Sequence, residues 1–315
     1  MSPRRALVST HELHGATVRC WTYPGSADAV AAGRARRLPP PEAVVAVHGF
    51  RGDHHGLARL IEALPETTFV VPDLPGFGSS TEIPEDSPHR HDIDGYAAVL
   101  SALVEDLAIG DHAVLLGHSF GSIVAAAHAA ASPHRWSGLI LINPISEPAL
   151  EGSEAVLSRL AHLFYRCGEA LPAPIGERLL RWRLVTDVMS LAMTKSRDRA
   201  TRDYVREQHR RYFGGFTSRR ALLEAFGASI SCTVRDYAAS IPLPTLLVAG
   251  ALDELGSPAS QRALADLFPD ARLRMIDGVG HLIHYEAAPA AASLVRGFLA
   301  GAPHRASSRQ RRWRP

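Results

Sequence analysis

An α/β fold is predicted: a mostly parallel sheet flanked by helices, with a helical segment inserted late in the chain. Three observations predict it. Short, wholly apolar runs such as Val44-Val45-Ala46-Val47 and Ala113-Val114-Leu115-Leu116 mark strands buried on both faces. Stretches with apolar residues at helical spacing lie between them, and that alternation calls for a parallel sheet covered by helices on both faces. The alternation breaks over residues 145–241, which read as helical, amphipathic and arginine-rich, and it resumes at Thr245.

Each element follows in order. Residues 17–22 alternate and suit an early strand. Residues 25–42 are rich in Ala, Gly, Arg and Pro and read as a loop or loose insertion. The first core strand, 44–47, ends at His48-Gly49-Phe50, and a helical stretch from Gly56 to Leu64 leads to a second strand over 68–71. Pro72-Asp73-Leu74-Pro75-Gly76-Phe77-Gly78 turns the chain sharply. Tyr96, Val99, Leu100, Leu103, Val104 and Leu107 predict a helix over 92–109. A third strand, 113–116, runs into Gly117-His118-Ser119-Phe120-Gly121, followed by an alanine-rich helix to about Ala131 and a fourth strand, 138–142, closing at Asn143-Pro144. After the insertion come a strand at 245–249, a helix at 260–267, a strand at 272–276 and a helix at 289–299. Residues 1–144 and 242–301 therefore form the core, and 145–241 form a helical cap. Residues 302–315, rich in Arg and Ser, form a basic disordered tail.

Composition narrows the function. A chain of 315 residues holds one large α/β domain or two ordinary ones. A net charge of +2 argues against a nucleic-acid-binding body, which needs a concentrated basic face. Cys20, Cys167 and Cys232 are widely spaced with no CxxC pair, so neither a zinc signature nor a disulfide framework is present; free buried thiols are expected. The N-terminal arginines precede no apolar run, and no stretch approaches the ~20 apolar residues of a spanning helix. A cytoplasmic enzyme without a membrane span is the expectation.

The chemistry sits in three places. Gly117-His118-Ser119-Phe120-Gly121 fits Gly-x-Ser-x-Gly between a strand and a helix. Side chains two residues either side of the serine would collide in so abrupt a turn, which is why glycines stand there. Serine is a poor nucleophile at neutral pH and needs a base, expected late in the chain after its acid. Asp253 lies just past a strand end, and His281 follows 28 residues later in Gly278-Val279-Gly280-His281, room for one helix and one strand. All three would project from one sheet edge, where ligands bind in open α/β sheets. Glu254 and Asp277 are rival acids and His284 a rival base, while His118 reads as structural. The oxyanion donors expected are the backbone N–H groups of Phe120 and Phe50, leaving both rings free to line an acyl pocket. Asp53-His54-His55 invites a metal, but adjacent histidines point apart in most backbones, so none is predicted.

On His48-Gly49-Phe50, Asp73-Leu74-Pro75-Gly76-Phe77-Gly78-Ser79-Ser80, the Ser119 pentapeptide, Asp253 and Gly278-Val279-Gly280-His281, the sequence resembles the α/β-hydrolase superfamily in its capped esterase, lactonase and C–C hydrolase branch. The resemblance covers nearly all of residues 43–300 and implies an eight-stranded sheet and no cofactor. Pro258 stands five residues after Asp253, one more than the family often shows. Relatives that attack with aspartate are excluded by Ser119.

Three functions follow. The first is a serine hydrolase of carboxylic esters, thioesters or lactones, acting through an acyl-enzyme on a small-molecule acyl substrate. The second keeps the triad but cleaves a C–C bond beside a ketone, or catalyses an elimination, with Arg51, His54 and His55 binding an acidic substrate. The third is a non-catalytic receptor. Phe50 and Arg51 are the substrate-binding candidates in the core, and Phe164, Tyr165, Trp182, Met189, Met193 and Phe213 are candidates to line the pocket from the cap.

Overall fold

The computed structural model describes residues 4–26, 43–148 and 155–301. Most of the predicted 25–42 loop and the whole 302–315 tail lie outside the described residues.

The chain opens with a hairpin, β1 (Leu7–Leu13) and β2 (Ala16–Tyr23), paired antiparallel from Leu7↔Thr22 to Leu13↔Ala16. β1 is absent from the sequence prediction. Its first residues, Leu7 and Val8, are exposed at the sheet edge, and only His11 and Leu13 are buried, so it lacks the apolar run of a central strand. The two-residue turn His14-Gly15 takes positive φ at both positions (50° and 83°), the geometry that two-residue hairpins favour.

β3 (Val44–Val47) leads through a 3₁₀ turn (His54–Leu57) into α1 (Ala58–Glu62) and β4 (Phe69–Pro72). Next come α2 (Ile93–Asp106), β5 (Val114–His118), α3 (Phe120–Ala131) and β6 (Gly138–Ile142). Asp92 caps α2 by accepting from the Gly95 N–H at 2.9 Å. The inserted helices are α4 (Ala155–Ala170), α5 (Ala173–Leu180), α6 (Arg183–Met193), α7 (Arg199–Tyr212), α8 (Arg219–Ser231) and α9 (Arg235–Ala238). β7 (Thr245–Gly250), α10 (Pro258–Ala265), β8 (Ala271–Ile276), α11 (Ile283–Glu286) and α12 (Ala288–Gly301) complete the chain.

The eight strands form one sheet in the order β1-β2-β4-β3-β5-β6-β7-β8. β1 and β2 are antiparallel to their neighbours, and every pair from β4 across to β8 is parallel. Side chains of the central strands alternate between two cores. Val45, Val47 and Leu115 face the layer of α2 and α3, while Val44, Ala46, Val114 and Leu116 face α1 and α12. Burial on both faces explains the continuous apolar runs. The parallel strands deliver their C-terminal ends to one edge, and the insertion packs there: Phe77 bridges to Phe216, and the Thr217 N–H donates to the Gly76 carbonyl at 2.9 Å. Of the cysteines, Cys20 is buried as expected, but Cys232 is half-buried and Cys167 is exposed on α4. No helix among the described residues is long and apolar enough to cross a membrane.

Candidate active site

The turn from β5 into α3 sets Ser119 at φ 54°, ψ −122°, a region that costs a non-glycine residue of order 1–3 kcal/mol. The flanking glycines make it possible. A Cβ on Gly117 would lie 2.3 Å from the Gly121 carbonyl oxygen, and one on Gly121 would lie 2.3 Å from that of Val47. The helix start is therefore pressed against the end of β3. The Ser119 N–H donates to the Ile142 carbonyl at 3.0 Å and the Ser122 N–H to the Ser119 carbonyl at 2.8 Å, fixing the turn from both sides.

His281 reaches the serine from the loop after β8. Its Nε2 lies 2.7 Å from Ser119 Oγ, and its Nδ1 lies 3.0 Å from both carboxylate oxygens of Asp253. Nδ1–H donates to the carboxylate, which leaves the Nε2 lone pair for the serine hydroxyl. All three side chains are buried. Burial disfavours the charged imidazole, but the Asp253 charge and hydrogen bond outweigh it, so the His281 pKa is raised above the usual histidine range.

The rivals take other roles. Glu254 pairs with Lys195, and Asp277 is exposed. His284 and His118 are buried beside His281 with ring centroids 4.0 Å apart, their pKa values lowered by burial, that of His118 to about 3. They are neutral neighbours of His281. Pro258 occupies the first turn of α10 behind the Ser257 cap, clear of the Asp253 loop.

One positioning residue escaped the sequence. Asn143, buried at φ 44° just past β6, donates from Nδ2 to the Gly280 carbonyl at 2.9 Å and accepts the Gly250 N–H at Oδ1, 3.1 Å. It ties the His281 loop to the ends of β6 and β7. Its signal was present in the Asn-Pro pair closing a buried strand, a place where a lone polar residue must be satisfied.

The Gly49–Gly52 turn lies against the serine. Its Gly52 N–H donates to the Gly49 carbonyl at 3.0 Å, and a Cβ on Gly49 would come 3.3 Å from the Ser119 Cβ. His48 supports this turn from below: the Leu74 N–H donates to its Nε2 at 2.9 Å, and its Nδ1 contacts the Gly49 carbonyl at 2.8 Å. Phe50 and Phe120 pack edge to face at 6.2 Å, and both line a cavity of about 440 Å³ that reaches Ser119. The insertion supplies Phe164, Tyr165, Met189, Phe213 and Phe226 to its walls. Two candidates do not reach it. Trp182 is exposed, and Met193 packs with Val205, Leu282 and Tyr285. Helical spacing alone does not say which face meets the cavity.

Arg51 also lines this cavity, with its donors turned into the insertion: Nε to the Phe213 carbonyl (3.1 Å), Nη1 to the Tyr165 hydroxyl (3.1 Å) and Nη2 to the Leu180 carbonyl (3.0 Å). The Asp53-His54-His55 group departs from expectation, since the two rings lie 3.9 Å apart instead of diverging. They continue a stack from Trp21 (3.7 Å from His54) to Tyr212 (3.7 Å from His55), while His54 Nδ1 is held by Asp73 at 2.8 Å and His55 Nδ1 by Asp53 at 3.1 Å. Ligand atoms of the three residues gather within 4.8 Å, but their contacts join the core to α7.

A sequence model of the alpha/beta hydrolase fold matches residues 42–288. The chain belongs to that family. It is 29% identical over 258 residues to a pimeloyl-[acyl-carrier protein] methyl ester esterase of Stenotrophomonas maltophilia, covering 82% of this chain and 92% of that one. It is 26% identical over 245 residues to the polyketide synthase ThaQ of Burkholderia thailandensis, covering 73% of this chain and only 10% of the synthase. The enol-lactonase of Burkholderia xenovorans superposes with a TM-score of 0.71 at 20% identity, covering 92% of this chain and 99% of that structure, a likeness of fold. The protein is an α/β-fold hydrolase.

Proposed function

We propose that this hydrolase cleaves carboxylic esters through a Ser119-His281-Asp253 triad and an acyl-enzyme. The observation that carries the proposal is the 2.7 Å approach of Ser119 Oγ to His281 Nε2 at one end of an apolar cavity. As Ser119 Oγ attacks the ester carbonyl, its proton passes to His281 Nε2, and Asp253 stabilises the resulting imidazolium. The carbonyl oxygen becomes an oxyanion, received by the N–H groups of Phe50 and Phe120, each donor being worth on the order of 3 kcal/mol in such sites. Collapse expels the alcohol, which takes the proton from His281. A water then gives its proton to His281 and attacks the acyl carbonyl; collapse breaks the bond to Ser119 Oγ, which takes that proton back from His281, and the acid is released. Residues 145–241 serve as the cap that walls the acyl pocket, on the core of 1–144 and 242–301.

The apolar lining favours an acyl chain over an acidic ketone. The groups that a C–C hydrolase would use for an acid are engaged elsewhere, Arg51 with the insertion and His54 with Asp73. The ester esterase among the relatives agrees with this choice. Hydrolysis of p-nitrophenyl esters from acetate to decanoate tests it. Medium chains are expected to outrun acetate, and Ser119→Ala to abolish turnover by about six orders of magnitude. Turnover near wild type in the Ser119→Ala protein refutes the proposal.

A further inference from the structure

The insertion carries an apolar surface that the acyl pocket does not consume. Leu184, Val188 and Leu191 form one stripe of α6, and Leu160 and Leu163 lie one turn apart on α4. With Trp182, which stands just before α6, these side chains are each between 52% and 69% exposed. Leu160, Leu184 and Val188 also line the cavity above Ser119. The exposed stripe and the cavity wall are therefore one continuous apolar surface, and the rim of the pocket opens onto it. Water is a poor neighbour for such a patch, which marks a surface that meets something apolar.

Its charge says what that something is. Residues 155–193, which carry all of these side chains, hold five arginines and three acidic residues, and Glu169, Glu177 and Asp187 pair with Arg166, Arg181 and Arg210. Arg159, Arg178 and Arg183 are exposed close in sequence to the apolar residues. An apolar row bordered by arginines, with a tryptophan among them, is the composition of a surface that lies in the headgroup layer of a bilayer. An acidic protein would answer the arginines but leave Leu163 and Leu191 uncovered. A second copy would cover the leucines but set its own arginines against these.

We propose that this face of the insertion docks on an anionic lipid surface and draws an apolar ester from it directly into the cavity. The docking surface extends the ester-hydrolase reading by naming where its substrate resides, yet it is measurable without turnover. The Ser119→Ala protein is sedimented with vesicles of phosphatidylcholine alone or mixed with phosphatidylglycerol. Partition into the mixed vesicles is expected to be about tenfold or more stronger, and weakened by salt. A Leu163→Ser/Trp182→Ser/Leu191→Ser variant, altered only at exposed residues off the cavity wall, is expected to lose about tenfold in partition at an unchanged melting temperature. With Ser119 intact, that variant is expected to hydrolyse a soluble short ester at the parent rate. Three results overturn the proposal: no vesicle binding, equal binding by the triple variant and its parent, or self-association that the triple substitution abolishes. Vesicle binding by a protein that hydrolyses no ester keeps the docking surface and removes the ester reading.

Discussion

Gly121 sits so close to the end of β3 that a Cβ there would lie 2.3 Å from the Val47 carbonyl oxygen and 2.5 Å from that of His48. Both obstacles are backbone, in a parallel sheet that cannot give way locally. Gly121→Ala must push α3 away from β3, and Ser119, two residues earlier, moves with the helix. The expected cost is about 2–3 kcal/mol, read as a melting temperature lower by roughly 5 °C or more. Ester turnover should fall well beyond what lost stability explains, because the 2.7 Å contact with His281 depends on the same turn. A fully active and stable Gly121→Ala protein contradicts this account of the elbow.

Asp253 and Glu254 are adjacent in sequence, and only the first faces His281. Asp253→Asn favours the wrong tautomer of His281, with the proton on Nε2 facing the serine, and is expected to cost roughly 10⁴ in kcat. Glu254→Gln breaks the pair with Lys195 and removes a charge that raises the His281 pKa less than Asp253 does, and should cost less than about tenfold. The pH profile gives a second readout. In the proposed mechanism His281 must be neutral to accept the serine proton, and its pKa is raised, so kcat/KM should be lost as pH falls through a limb above the ordinary histidine value of about 6.5. Removing the Asp253 charge should move that limb to lower pH. A limb that stays in place in Asp253→Asn assigns it to another group.

Central strands and the elbow were legible in the sequence because burial on both faces leaves nothing polar to interrupt Val44–Val47 or Val114–Leu116, and because Gly117 and Gly121 stand where no side chain fits. β1 was not legible, since Thr10 and Glu12 face outward at an edge and the polar Ser9 and His11 interrupt the inner face. The partners of Arg51 and of Asn143 were equally hidden. Each is defined by partners far along the chain, Arg51 by Tyr165, Leu180 and Phe213, Asn143 by Gly250 and Gly280, and no local pattern announces such contacts.

Arg51 is buried at φ 60°, with three of its nitrogens donating to the insertion and its guanidinium 5.6 Å from the Phe216 ring centroid. Arg51→Lys keeps the charge but cannot reproduce the planar fork, so carbonyls of Leu180 and Phe213 lose their donor. A loss of about 2–3 kcal/mol is expected, concentrated where the insertion meets the core. Proteolysis or hydrogen exchange over α4 to α7 should accelerate, and KM should rise similarly for all esters. A KM increase confined to carboxylate-bearing substrates would instead make Arg51 a substrate ligand.

Buried neutral histidines make the fold sensitive to acid. Burial lowers the pKa of His118 to about 3, aided by the His281 charge, and those of His128 and His209 to about 4. His284 is driven well below its usual value by burial and by the histidines around it. Unfolding returns each to about 6.5, so below that pH the unfolded chain binds more protons than the folded one. The stability these groups contribute is complete above about pH 6.5 and is lost as pH falls toward 4. Each group adds up to about 1.4 kcal/mol per pH unit to that slope. Trp136 Nε1 donates to His128 Nδ1 at 3.0 Å, a bond that requires that nitrogen to be unprotonated. The melting temperature is expected to drop steeply between about pH 7 and pH 5. His209→Leu, which removes a titrating ring packed against Phe213 and Tyr285 but keeps the site apolar, should make the drop shallower by about one proton. A melting temperature flat across that range would mean that these rings are not neutral in the folded protein.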